Sequence, residues 1–215
     1  MNGLIIKDFL NLKKQAVPIG AFLILYFVIS ALSGDSTFFA GVLMMSFAIL
    51  PITALAYDDR ANWNKYALTM PISRQMLVVS KYLMALILLG IGGLTILLFN
   101  TFFGNYNLHE GLLATCTMMF IGVLIFSISL PLNYKFGTEK SRYILIGVCV
   151  LPAVFVSMLG IGVTTEPSDE MVGILDLLEI LLESNWFIAA ELLLSAIVFF
   201  VSMMASVRII QKKEF

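Results

Sequence analysis

Residues 58–74 read DDRANWNKYALTMPISR, a polar stretch set between two long apolar runs, 38–57 and 77–103. Asp58 and Asp59 bring side-chain oxygens and negative charge suited to a helix N-terminus, a helix from there passes through Trp63 and Tyr66, and Pro71 stops it. Ser73 and Arg74 lead straight into the next apolar run. The stretch reads as a short helix just outside a bilayer, built to be gripped by another protein.

The composition supports that setting. A chain with 60% apolar residues and a mean hydropathy of +0.98 has too little polar surface to face water on all sides. The fold class is therefore all-α, a polytopic membrane protein. At roughly 20 residues per crossing, 215 residues hold about six crossings and no sizeable soluble domain. Six apolar runs are present, at 16–32, 38–57, 77–103, 112–132, 143–163 and 186–207. None alternates with the period of two that an outer-membrane barrel requires. The whole chain, 1–215, reads as a single transmembrane domain.

The basic residues sort with the runs. Lys7, Lys13 and Lys14 precede the first; Arg60, Lys65, Arg74 and Lys81 lie between or beside the second and third; Lys135, Lys140 and Arg142 separate the fourth and fifth; Arg208, Lys212 and Lys213 close the chain. The alternate loops carry Asp35, then His109 and Glu110, then Glu166 to Glu183, with no Lys or Arg. By the positive-inside rule both termini and residues 58–74 face the cytoplasm of a cell membrane, and an odd number of spans would break the pattern.

Before the first run, Ile5, Phe9, Leu12 and Ala16 fall on one helical face, with Lys7, Asp8, Asn11, Lys14 and Gln15 opposite. This is the pattern of an interfacial helix over 1–15 with its basic residues toward headgroups and water, and Pro18 marks a bend into the first span. Lys13, Lys14, the following apolar run and Ala31-Leu32-Ser33 share the layout of a secretion signal. The segment is long for one and five more spans follow, so it reads as retained. In the last outer loop, 164–187, Ser168 caps an amphipathic helix with Asp169, Asp176, Glu179 and Glu183 on one face. That helix rests on the outer surface or tucks back into the bundle; an ordinary solvated acidic face is the plainer alternative.

Catalytic chemistry finds no foothold. There is no G-x-x-x-x-G-K-[ST] phosphate loop, no H-E-x-x-H and one histidine, His109, in an outer loop. No catalytic, metal-binding or cofactor-binding residue is assigned, nor any nucleic-acid partner, and an intramembrane enzyme is the weakest reading. Cys116 and Cys149 sit in apolar runs as small hydrophobes. Adjacent methionines at 44–45, 118–119 and 203–204 could line a surface for varied cargo, though methionine is more often a gap-filler. Glu191 lies about 7 Å along the last span at about 1.5 Å per residue, close enough to snorkel to the outer interface; a place on a transport pathway is the alternative.

The order of these parts resembles the membrane subunit of ABC exporters of the type-2 permease family: a leading amphipathic helix, two spans, DDRANWNKYALTMPISRQMLVVSKYL, and FGTEKSRYI at 136–144 before the fifth span. The resemblance covers essentially the whole chain. It is strongest over 57–83, at Trp63, Tyr66, Pro71, Ile72, Ser73, Arg74, Lys81 and Tyr82, and is most similar to small six-span bacterial subunits of bacteriocin-immunity and phenol-soluble-modulin exporters.

The resemblance implies that 58–74 is a coupling segment seated in a groove of a separate ABC ATPase, which alone binds ATP and Mg. It implies that the N-terminal helix is a connecting helix, that the outer helix closes the exit, and that two permeases, identical or not, work with two ATPases. Within the segment Trp63 and Tyr66 supply contact area, Asp58, Asp59 and Arg60 set orientation by charge, and Arg74 closes it. A headgroup anchor is the plainer role for the two aromatics. The expected function is export of an amphipathic or hydrophobic cargo such as a peptide toxin, antimicrobial, lipid or drug. The alternative is a non-transporting immunity or sensor protein that binds a toxin or partner.

Overall fold

The computed structural model describes residues 2–33, 36–67, 69–70, 73–103, 107–138, 140–141, 143 and 185–212. The described elements are all helices: α1 (Asn2–Ser33), α2 (Thr37–Arg60), α3 (Trp63–Ala67), α4 (Arg74–Phe102), α5 (Leu108–Phe136) and α6 (Asn185–Lys212). All but α3 are long and apolar enough to cross a membrane, giving five candidate spans among the described residues. The expected span at 143–163, beyond Tyr143, lies outside the described residues, as does the outer helix with Asp169, Asp176, Glu179 and Glu183.

The expected interfacial helix and the first span belong to one continuous helix. α1 runs unbroken through Pro18, because an internal proline removes one backbone hydrogen bond and a helix within a bundle can absorb that loss. Part of its polar face is also turned inward. Asp8 is only 1% exposed, whereas Ile6, Phe9 and Leu10 lie on the outside. The packed side of this helix thus combines Asp8 with the buried Leu12, while Asn11 stays exposed.

α2 and α4 form the centre: half of each membrane window is buried, against 6% for α1 and 11% for α6. α2 touches α1, α4 and α5, and α4 also reaches α5 and α6. The core between them is built from Leu43, Met44, Val78, Leu89, Phe126 and Leu130, with Phe27, Phe39 and Phe99 clustered toward the other end. Close approach depends on glycine. A Cβ at Gly93 of α4 would lie 2.5 Å from Sδ of Met119 on α5, and one at Gly92 would press on Leu43, Met44 and Phe47 of α2.

Local signals place the helix ends. Ser73 Oγ accepts from Met76 N–H at 3.3 Å to start α4. Asn107 N–H donates to Glu110 at 3.1 Å to start α5, which stops at Gly137 with φ +81°.

Candidate coupling site at the basic end of the bundle

The helix expected to begin at Asp58 begins at Trp63. Asp58, Asp59 and Arg60 form the last turn of α2 instead. Acidic groups at a helix C-terminus oppose the backbone dipole, so something must compensate them. The compensation is visible. Lys7 of α1 donates to Asp58 Oδ1 at 2.6 Å, and Lys81 of α4 meets Asp58 Oδ2 at 2.7 Å. Lys81 also donates to Asp8 Oδ1 at 2.7 Å, with Lys7 Nζ 3.4 Å from the same oxygen.

Two lysines and two aspartates thus form a neutral cluster that joins α1, α2 and α4. Asp8, Asp58 and Lys81 are buried, and the half-buried Lys7 forms its outer edge. Asp58, expected on the surface as an orienting charge, is 4% exposed and fully committed inside the chain.

After Arg60 the backbone turns sharply at Asn62, whose φ of +49° is a left-handed conformation that asparagine tolerates better than most residues. The turn sets α3 against the cluster. Lys7 Nζ sits 4.2 Å from the centroid of the Trp63 ring, a cation–π contact. Tyr66, 57% exposed, packs beside Trp63 with centroids 5.6 Å apart. Arg60 is exposed and Asp59 half-buried at the same corner. The structure therefore brings Asp58, Asp59, Arg60, Trp63 and Tyr66 together but divides them. Asp58 faces inward, and Tyr66 and Arg60 face outward.

Arg74 has another partner. Its Nη1 donates to the carbonyls of Gln211 at 3.0 Å and Ile210 at 3.5 Å, closing the C-terminal end of α6, where a cation complements the free carbonyls. Its charge is spent within the chain and not on the outer surface of the coupling segment.

The sequence alone does not show that Lys7, Asp8, Asp58 and Lys81 pair. A signal was present: a lysine inside the apolar run 77–103, and one acid, Asp8, in the first 34 residues. Charges of opposite sign at the same membrane end, each too deep to hydrate, call for each other. Tyr82 extends the link. Its hydroxyl is 2.6 Å from Ser202 Oγ and 2.9 Å from Ser206 Oγ of α6, and Ser202 donates to the Ser127 carbonyl of α5 at 2.6 Å. Since Ser202 spends its one hydrogen on Ser127, Tyr82 donates to Ser202 and accepts from Ser206. Neighbouring residues on α4 therefore hold opposite halves of the bundle: Lys81 grips α1 and α2, Tyr82 grips α5 and α6.

A family model described as an ABC-2 family transporter protein matches residues 3–211. The chain belongs to this family. It is an ABC-2 type permease, a multi-pass transmembrane component, and its family implies partnership with an ABC transporter ATPase. No curated protein and no solved structure matches it. In this ABC-2 permease the matched residues include α3, Asp58, Lys81 and Tyr82.

At the opposite end of the permease, Glu191 does not snorkel outward. It is 7% exposed and accepts from Thr117 Oγ1 of α5 at 3.3 Å. Two of the three methionine pairs split between core and surface: Met44 is buried and Met45 exposed, Met203 is partly buried and Met204 exposed, whereas Met118 and Met119 both pack partly buried against the core. Adjacent helical positions point about 100° apart, so the pairs at 44–45 and 203–204 fill gaps and face outward at once.

Proposed function

We propose that this permease is the membrane-spanning half of an ATP-driven exporter, with ATP and Mg bound on a separate subunit. The exposed Arg60 and Tyr66, backed by the half-buried Trp63, seat in that subunit. Two permeases and two ATPases complete the transporter, the basic end faces the cytoplasm, and the cargo is amphipathic or hydrophobic. The observation that carries this reading is the triple engagement of Lys7, which contacts Trp63, Asp58 and Asp8.

A push on α3 reaches α2 through the chain, α1 through Lys7, and α4 through Asp58 and Lys81. A five-residue helix has little stiffness of its own, so force delivered to it moves the spans only if it is tied to them laterally. Trp63 supplies that tie and Tyr66 the outward contact area, as aromatic residues do at interfaces.

The test is capture of an ABC ATPase by the tagged permease. Trp63→Ala with Tyr66→Ala is expected to lower capture at least about tenfold while insertion and helix content stay unchanged. Undiminished capture and undiminished export in the double variant would overturn the assignment. A permease that captures no ATPase at all would return the chain to the non-transporting reading.

A further inference from the structure

Glu191 differs from every other buried acid described. At the basic end Asp8 and Asp58 are each met by two lysines. Glu191 is nearly as buried, yet among the described residues its hydrogen bond comes from one neutral hydroxyl. That hydroxyl is shared, since Thr117 Oγ1 also lies 3.0 Å from the Leu113 carbonyl. Its depth is set by Trp186, which stands 84% exposed at the head of α6, the position of an interfacial anchor. Five residues further, at about 1.5 Å each, Glu191 lies about 7 Å inside.

Among the described residues no cation pairs with this carboxylate. No Lys or Arg occurs between Tyr82 and Tyr134 or between Tyr143 and Val207. Arg208 is about 25 Å away along α6. His109 lies about 12 Å from Thr117 along α5, exposed in its first turn. A buried carboxylate without a charge partner is strongly unfavourable, and one long hydroxyl bond does not offset it. Such a group either takes up a proton or meets a positive charge from outside the chain, and the second outcome can be tested.

We propose that Glu191 is a recognition point for an ammonium group carried by an amphipathic cargo. Thr117 meets Oε2, and among the described residues no hydrogen bond reaches Oε1, an arrangement that suits a single point charge and disfavours the two-pronged grip that a guanidinium needs. The surroundings suit the rest of such a molecule, because α6 runs apolar for the three residues after this carboxylate and the nearby hydroxyls of Thr115 and Ser195 bond to carbonyls of their own helices. The inference rests on the export reading only in supposing that cargo passes through the bundle. Recognition itself is a property of the permease alone.

The experiment uses the full-length permease in nanodiscs of zwitterionic phosphatidylcholine, with dodecylammonium as the cationic probe and dodecanol as its neutral match. Trp186 fluorescence in a Trp63→Phe background reports binding. Glu191→Gln is nearly isosteric and still accepts from Thr117, so it mimics a carboxyl that merely packs as a neutral group. Saturable dodecylammonium binding is expected, at least about tenfold weaker in Glu191→Gln and largely kept in Glu191→Asp, with dodecanol indifferent to either change. Equal affinity in Glu191→Gln, an equal loss for dodecanol, or no saturable binding to the unaltered protein would each overturn the proposal. ATPase capture is measured separately, so failure here leaves the coupling assignment standing, and the reverse.

Discussion

Lys7 shows how one residue can belong to three elements. It is anchored on α1, paired to α2 through Asp58, and laid over the ring that opens α3. Its half-exposed position limits what its loss would cost in stability. Lys81 is different: it is buried between two carboxylates and no water can replace it. Lys81→Met should therefore leave an uncompensated buried charge and destabilise the permease by about 3–5 kcal/mol, read as earlier unfolding in detergent. Asp8→Asn combined with Lys81→Met restores neutrality around the Lys7–Asp58 pair and should recover part of that loss. A double variant as unstable as the sum of its parts would mean that the residues do not act as one cluster.

At the level of elements, α4 is the common member. Its Lys81 side serves α1 and α2, its Tyr82 side serves α5 and α6, and its glycines set how near the neighbours come. Tyr82→Phe keeps the ring contacts with Phe126 and Phe199 and removes both hydroxyl bonds. It should cost about 1–2 kcal/mol in stability. On the proposed coupling scheme it leaves ATPase capture intact, because α3 is untouched, and lowers export per ATP hydrolysed. Unaltered export at unaltered hydrolysis would show that α4 does not transmit through this node. Gly93→Ala tests the packing alone: its methyl meets Met119, costing about 1–3 kcal/mol, and adding Met119→Ala should relieve most of it in the same unfolding assay.

For the whole molecule, the contacts gather the charged ends of α1, α2, α4 and α6 at one end of the bundle, while Asn107, Glu110 and Trp186 start their helices at the other. In a background free of Cys116 and Cys149, Tyr66→Cys should react with an impermeant maleimide only in inside-out vesicles, and Thr37→Cys only from outside. Labelling of both from one side would break the expected topology and with it the coupling role of α3. The outward apolar faces of α1 and α6 fit a chain surrounded by lipid or by further subunits, since little of either helix is covered here.

Residue chemistry along the chain was enough to establish a helical membrane protein, the place of each described span, the collection of basic residues at one end and the polar turn between the second and third runs. These follow from hydropathy and charge, which depend on local composition and survive any packing arrangement. Which way a charge points does not. Asp8 and Asp58 read as surface groups because polarity alone says that acids seek water, and Arg74 read as part of the coupling surface because it adjoins the turn. Only the approach of α1, α2, α4 and α6 showed that Lys7 and Lys81 replace that water and that the end of α6 claims Arg74. Pairing across helices joins residues 51, 73 and 137 positions apart, and no local pattern encodes such distances.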